Sequence, residues 1–175
     1  MICSQTIAAV TAALRRRLEQ AVDSELPGTR VTTRPPDKAR DSQGGNQVNL
    51  FLYLALPDAA KRNICRNDLG TNQLRRPLLA LNLYYLLSVY GQDDDANPYS
   101  HRLLGTAMQT LHGNPVFSPV EIEAAAIGCG FCCRAESTSI TLHILSADEM
   151  TKLWSAFQTA YRLSVAYEVS VVLLD

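Results

Sequence analysis

The residues best equipped for chemistry are Cys129-Gly130-Phe131-Cys132, followed directly by Cys133. Two thiols at this spacing on a helix start let one be held as thiolate, the basis of disulfide exchange. That chemistry requires the pair to follow a core strand and open a helix. Here it follows Ala124-Ala125-Ala126-Ile127-Gly128, in the second half of the chain, so a small apolar loop or strand edge is the favoured reading. The same cysteines with His143 offer four soft ligands for zinc. A structural zinc site joins two short-spaced ligand pairs, but Cys132 and Cys133 are adjacent and His143 has no paired ligand. His143 is expected as an outward-facing strand residue, and no metal or cofactor is assigned. A small cytosolic thiol-redox or zinc-binding protein using Cys129, Cys132 and Cys133 remains the alternative, and it predicts lost function in Cys132→Ser.

The other candidates are weaker. Asp93-Asp94-Asp95 places carboxylates that splay apart, whereas a calcium loop needs alternating ligands and a closing Glu. His101 and His112 stand three helical turns apart and cannot share a site; His101 is expected to cap or pack, and His112-Gly113-Asn114-Pro115 reads as a helix stop. No nucleophile elbow occurs, and Gly44-Gly45 lacks the Lys-Ser/Thr of a phosphate-cradling loop. The expectation is a protein that is not an enzyme.

Composition agrees with that expectation. At 175 residues, 47% hydrophobic and 19% charged, the chain suits one domain with a real core. A formal net charge of −1 gives no general attraction to nucleic acid. No run of about eighteen apolar residues predicts a membrane span. Arg15 to Arg17 follow the first apolar stretch instead of preceding it, unlike a secretory signal. Five cysteines, an odd number, argue for a reducing, cytoplasmic setting.

The elements that must position any site follow from periodicity. Ser4 is placed to cap a first helix striped by Ile7, Val10, Leu14, Leu18 and Val22, ended by Pro27-Gly28. Arg30 to Arg34 reads as a short strand, and residues 35 to 46 as an exposed, mobile loop. Val48, Leu50, Leu52, Leu54 and Leu56 alternate on one strand, and Leu81, Leu83, Tyr85, Leu87 and Val89 on the next. Both strands carry Leu and Tyr on their second face, which needs a helix or another subunit to cover it. A helix is expected over His101 to His112, a short one over Glu121 to Ala126, and a strand through Thr138, Ile140, Leu142 and Ile144. Ser146 and Glu149 form a capping-box signature before an apolar face of Met150, Leu153, Trp154 and Phe157. Val165, Tyr167, Val169, Val171 and Leu173 then alternate as a last strand, a structural element with Asp175 directly behind it. The order α-β-β-β-α-β-α-β is α+β, a mainly antiparallel β-sheet with helices packed on it.

Several of these segments, in this order, resemble the cap or tube-terminator proteins of extracellular contractile injection systems, the phage-tail-like particles. Val48-Asn49-Leu50-Phe51-Leu52-Tyr53 is similar to that family's first long strand, and Leu79 through Leu87 to the next. His101-Arg102-Leu103-Leu104-Gly105 resembles the opening of its helix, with His112, Pro115 and Val116 at the close. Lys152-Leu153-Trp154-Ser155, Tyr161-Arg162 and Ser164-Val165-Ala166-Tyr167 resemble its terminal helix and strand. The likeness runs from about residue 4 to 175 and leaves Glu121 to Ser137 unmatched; some relatives carry a further C-terminal region that this chain lacks. The resemblance implies a tail-terminator-like domain over residues 1–175 and a structural, non-catalytic role. It implies a homo-oligomeric ring of about six subunits at the end of the inner tube, touching tube and sheath proteins, assembled in the cytoplasm into the particle. Under it, Arg34, Asp37, Lys38 and Arg40 are expected to reach a partner from the loop, and Arg62, Arg66, Arg75 and Arg76 to line the tube rim.

Overall fold

The structure, a computed structural model, describes residues 5–40, 44–61, 79–93, 97–130 and 135–174. The expected cap Ser4 lies outside them. Helix α1, Thr6–Glu25, buries Val10, Leu14, Leu18 and Val22 as the stripe requires, and adds Ala9 and Ala13. It ends at Pro27-Gly28: Gly28 adopts φ 82°, a region only glycine enters without strain, and donates its N–H to Asp23 Oδ1 at 2.9 Å.

Strand β1 is Arg30–Thr32, two residues shorter than expected at its far end, and pairs in parallel with β2, Gln47–Pro57. Its ladder stops for an identifiable reason. The buried Asn49 amide accepts from Arg34 N–H and donates to Arg34 C=O, both at 3.0 Å, so those groups leave the sheet. A 3-10 turn, Pro36–Lys38, follows. Strand β3, Leu79–Tyr90, pairs antiparallel with β2 and places Leu81, Leu83, Tyr85, Leu87 and Val89 in the core. Helix α2, Tyr99–Gly113, leads to a two-residue strand β4, Val116–Phe117, and then to helix α3, Pro119–Gly128. Strand β5, Thr138–His143, helix α4, Ala147–Ala156, and strand β6, Ser164–Leu174, complete the described chain. The sheet order is β1-β2-β3-β6-β5-β4, antiparallel except at β1. This is the α+β architecture expected, with β4 as an unforeseen addition.

Both α3 and α4 begin with reciprocal capping boxes. Ser118 Oγ accepts from Glu121 N while a Glu121 oxygen accepts from Ser118 N, and Ser146 with Glu149 repeats the arrangement. Pro119 at the first position of α3 costs nothing, because that N–H would have no helical partner.

Helices α1, α2 and α3 pack on one sheet face. Ala9 and Ala13 of α1 and Ala125 and Ala126 of α3 are buried there, small side chains that let two helices approach closely. Tyr85 is fully buried beneath them, and its hydroxyl bonds Thr11 Oγ1 at 2.8 Å. Tyr85→Phe should cost about 1 kcal/mol by urea denaturation, the usual value of one buried hydrogen bond. An unchanged midpoint would mean that Thr11 is satisfied elsewhere.

Two register shifts correct the simple alternation expected of β2 and β6. Leu52 pairs with Tyr85 but Leu54 pairs with Tyr84, so the strand slips at Tyr53. A one-residue slip turns every later side chain to the opposite face. Leu54 and Leu56 therefore leave the core face of Val48, Leu50 and Leu52 and are 41% and 44% exposed. In β6, Val169 pairs with Leu83 but Val172 with Leu81. That shift brings Val172 into the core and puts Leu173 on the other side, while the Val171 side chain lies outside the description.

Candidate functional site

The second sheet face is covered at one end and in the middle, each time by a different element. At one end, the residues after β1 fold over it. Gln47 Nε2 donates to Ala39 C=O at 2.6 Å and to Thr32 Oγ1 at 2.8 Å, and Pro36 and Ala39 are buried. Arg40 donates to Gly45 C=O at 2.8 Å and Gly91 C=O at 3.3 Å, and lies 5.8 Å from the Tyr90 ring. The described part of the expected mobile loop is thus pinned to the sheet, and Arg40 does the pinning. Arg34, Asp37 and Lys38 are exposed on it. Arg62, Arg66, Arg75 and Arg76 lie outside the described residues.

In the middle, α4 supplies the cover. Trp154, 2% exposed, donates its indole N–H to Ser164 Oγ at 3.0 Å. Phe157 meets Phe51 edge-on at 5.6 Å. Of the apolar face expected for α4, only Trp154 is fully buried.

The far end stays open among the described residues. There Tyr53, Tyr84 and His143 cluster, with ring separations of 6.3 Å and 5.0 Å, and Glu168 lies 4.0 Å from His143 Nδ1. Burial, then the Glu168 charge, raises the Tyr84 hydroxyl pKa above its ordinary value. Leu54 and Leu56 arrive here through the slip at Tyr53. His143 does lie on the face opposite Ile140, as expected of an outward strand residue.

On the core-face side, the β2 edge borders a groove. It has a volume of about 920 Å³, between Leu50 and Leu52 of β2, Thr11 and Arg15 of α1, and Gly128 and Cys129 behind α3. Arg15 is paired with Glu19 at 2.7 Å. Arg16 is exposed, with no ion pair among the described residues.

The chemistry expected of the cysteines meets an adverse geometry at the one described. Cys129 is exposed and sits at the C-terminal end of α3, where its N–H reaches back to Ala125 and Ala126 C=O. Disulfide exchange calls for the thiol at a helix start, and Cys129 stands at the opposite end. Cys132 and Cys133 lie outside the described residues. Among the described residues, no three His, Cys, Asp or Glu side chains gather to hold a metal. His101 is exposed and does not cap α2, whose N-cap is Pro98. Asp94 and Asp95 are likewise outside the description.

One residue with a large structural role was not anticipated. Arg17 donates to Asn114 C=O, to Val116 C=O at 3.2 Å and to Glu121 Oε1 at 2.7 Å, and stacks 3.4 Å over Phe117. Hydrogen bonds from Ser118 and then Arg17 hold the Glu121 carboxyl down at about 2. A carboxylate whose folded pKa is depressed stabilises fully above its unfolded value and loses that contribution as pH falls. Stability should therefore drop between about pH 4.5 and 2, by about 1 kcal/mol after allowing for solvent screening at this half-exposed side chain. Glu121→Gln should flatten that limb of a stability–pH profile; an unaltered limb would assign it to other carboxylates.

The chain matches a family model described as the Pvc16 N-terminal domain over residues 9–175. Among solved structures it is similar to the PVC sheath/tube terminator of an extracellular contractile injection system, in the extended state. That match has a TM-score of 0.60 and 16% identity over 97% of this chain and 57% of that one. It is also similar to the tube-terminating cap of the anti-feeding prophage, with a TM-score of 0.57 and 15% identity over 94% of this chain and 53% of that one. The chain thus spans just over half the length of these two proteins. No curated protein matches it. No helix among the described residues is long and apolar enough to cross a membrane.

Proposed function

The chain belongs to the Pvc16 N-terminal domain family, and from that membership we propose that it is a structural cap ending the inner tube of a contractile injection particle. Residues 1–175 act as one tail-terminator-like domain. Copies associate head to tail into a closed ring of about six subunits. The ring seats on the last layer of tube protein and meets the sheath, and the particle is assembled in the cytoplasm. The role is mechanical and involves no catalysis.

The observation that carries this reading is the family match across residues 9–175, joined by likeness of fold to a terminator and a cap. The surface supports it physically. A ring needs two unlike faces on each subunit. The chain has an open aromatic and apolar face around Tyr53, Tyr84, Leu54 and Leu56, and an arginine-bearing groove beside α1. In this reading Asp37 and Lys38, exposed on the 3-10 turn, and Arg34 beside it meet a tube or sheath subunit. Arg40, exposed next to them, reaches the same partner while its guanidinium bonds Gly45 and Gly91 C=O.

Light scattering and negative-stain imaging of the protein, alone and mixed with tube protein, test the proposal. Rings on tube ends, with shorter tubes as cap is added, are expected. A chain that stays monomeric with tube present, and leaves tube ends bare and lengths unchanged, would remove it.

A further inference from the structure

Strand β2 runs for eleven residues, yet β1 covers it only from Gln47 to Asn49. The direction of the uncovered backbone groups follows from one hydrogen bond. Arg30 N–H donates to Asn46 C=O at 3.1 Å, so Asn46 faces β1. Backbone groups alternate sides along a strand, so Val48, Leu50 and Leu52 also direct N–H and C=O to that side. Arg34 N–H would continue the β1 ladder at Leu50 C=O, but Asn49 Oδ1 takes it. Among the described residues, Leu50 C=O and both backbone groups of Leu52 therefore face the groove with no strand opposite them.

An apolar edge of this length is a template for another strand and is normally paired, blunted or covered. Beside it, α1 and the end of α3 raise walls, leaving a groove instead of a flat surface. The charge of those walls is one-sided. The groove carries Arg15 and Arg16 against Glu19. Glu19 is paired with Arg15, which leaves Arg16 with no ion pair among the described residues. Unmet backbone donors and acceptors call for an extended peptide, and Arg16 calls for a carboxylate on it.

We propose that the uncovered β2 edge at Leu50 and Leu52 receives an acidic, extended segment of a partner protein as an added β-strand. Main-chain bonds to Leu50 and Leu52 supply the affinity, and Arg16 selects acidic side chains. The docking goes beyond the cap reading and does not depend on ring closure, so light scattering on the same samples scores the two separately.

The test uses a synthetic peptide of roughly eight residues, alternating Val with Glu, and a counterpart alternating Val with Lys. The Glu peptide should saturate below about 1 mM, with a Kd about tenfold lower than the Lys peptide. N-methylation of every second amide, tried in both frames, should abolish binding in one frame only, since a strand presents alternate amides to its neighbour. Bound peptide should slow deuterium exchange at Leu52 N–H by about tenfold. Arg16→Glu, an exposed change, should weaken the Glu peptide by about fivefold without moving the thermal midpoint. Three results would overturn the proposal. Equal affinity for Glu and Lys peptides would deny the acidic partner. A Leu52 N–H already protected in the free monomer would show that the chain covers its own edge. Protection that rises with protein concentration alone would assign the edge to a second copy.

Discussion

Trp154→Ala should lower the stability of the α4 region by about 3–5 kcal/mol, the range for truncating a buried large aromatic. Helix α4 fully buries no residue but Trp154, so that side chain is its main anchor on the sheet, with Phe157 against Phe51 beside it. The indole contributes its N–H bond to Ser164 at 3.0 Å and edge-on contacts with Phe157 and Tyr161 at 6.0 and 5.8 Å. The loss should be local: α4 detaches while α1, α2 and α3 keep their sheet face. Proteolysis should then cut between Ile144 and Leu163 well below the denaturant concentration that unfolds the rest. Trp154→Phe, which keeps ring burial but drops the N–H, should cost only about 1 kcal/mol. An Ala variant with wild-type resistance in this segment would show that α4 is held by something other than its tryptophan.

Arg17→Ala should destabilise the whole fold by about 2–4 kcal/mol, because a truncated arginine leaves several acceptors without a charged donor. The guanidinium ties α1 to the α2–β4 connection through Asn114 and Val116, and to the start of α3 through Glu121. Its side chain is only 14% exposed and lies flat on Phe117, so packing on the ring adds to hydrogen bonds that the half-exposed Glu121 leaves partly screened. Arg17→Lys should recover less than half of the loss, since an ammonium cannot reach three acceptors in a fixed fork. Combined with Glu121→Gln, the cycle should show a coupling of about 0.5–1 kcal/mol in urea titrations. Full rescue by Lys, or a loss under about 0.5 kcal/mol for Ala, would reduce Arg17 to an ordinary surface charge.

Local pattern carried much of the architecture. The helical stripe of α1, the alternation of β3 and the Ser146–Glu149 box each concern neighbours a few residues apart, and each formed where periodicity placed it. A second box at Ser118–Glu121 was equally legible and marks the start of α3. The family resemblance, resting on ordered strand and helix segments, agrees with the match over residues 9–175.

Alternation determined that β2 and β6 are strands, but where they slip depended on their partners. Nothing in Leu52-Tyr53-Leu54 signals a register shift; it exists only in the pairing of β2 with β3. That shift decides whether Leu54 and Leu56 are core or surface, and with them the character of the open face. The same holds for Arg17 and Asn49, whose structural roles no local pattern announces. Their acceptors and donors, Asn114, Val116 and Glu121 for one and Arg34 for the other, come from distant segments. By itself the sequence determined the elements, the amphipathic faces and the family. Only the tertiary structure decided which charges are spent on holding the fold and which sheet edge is left open among the described residues, because both depend on contacts between segments far apart in the chain.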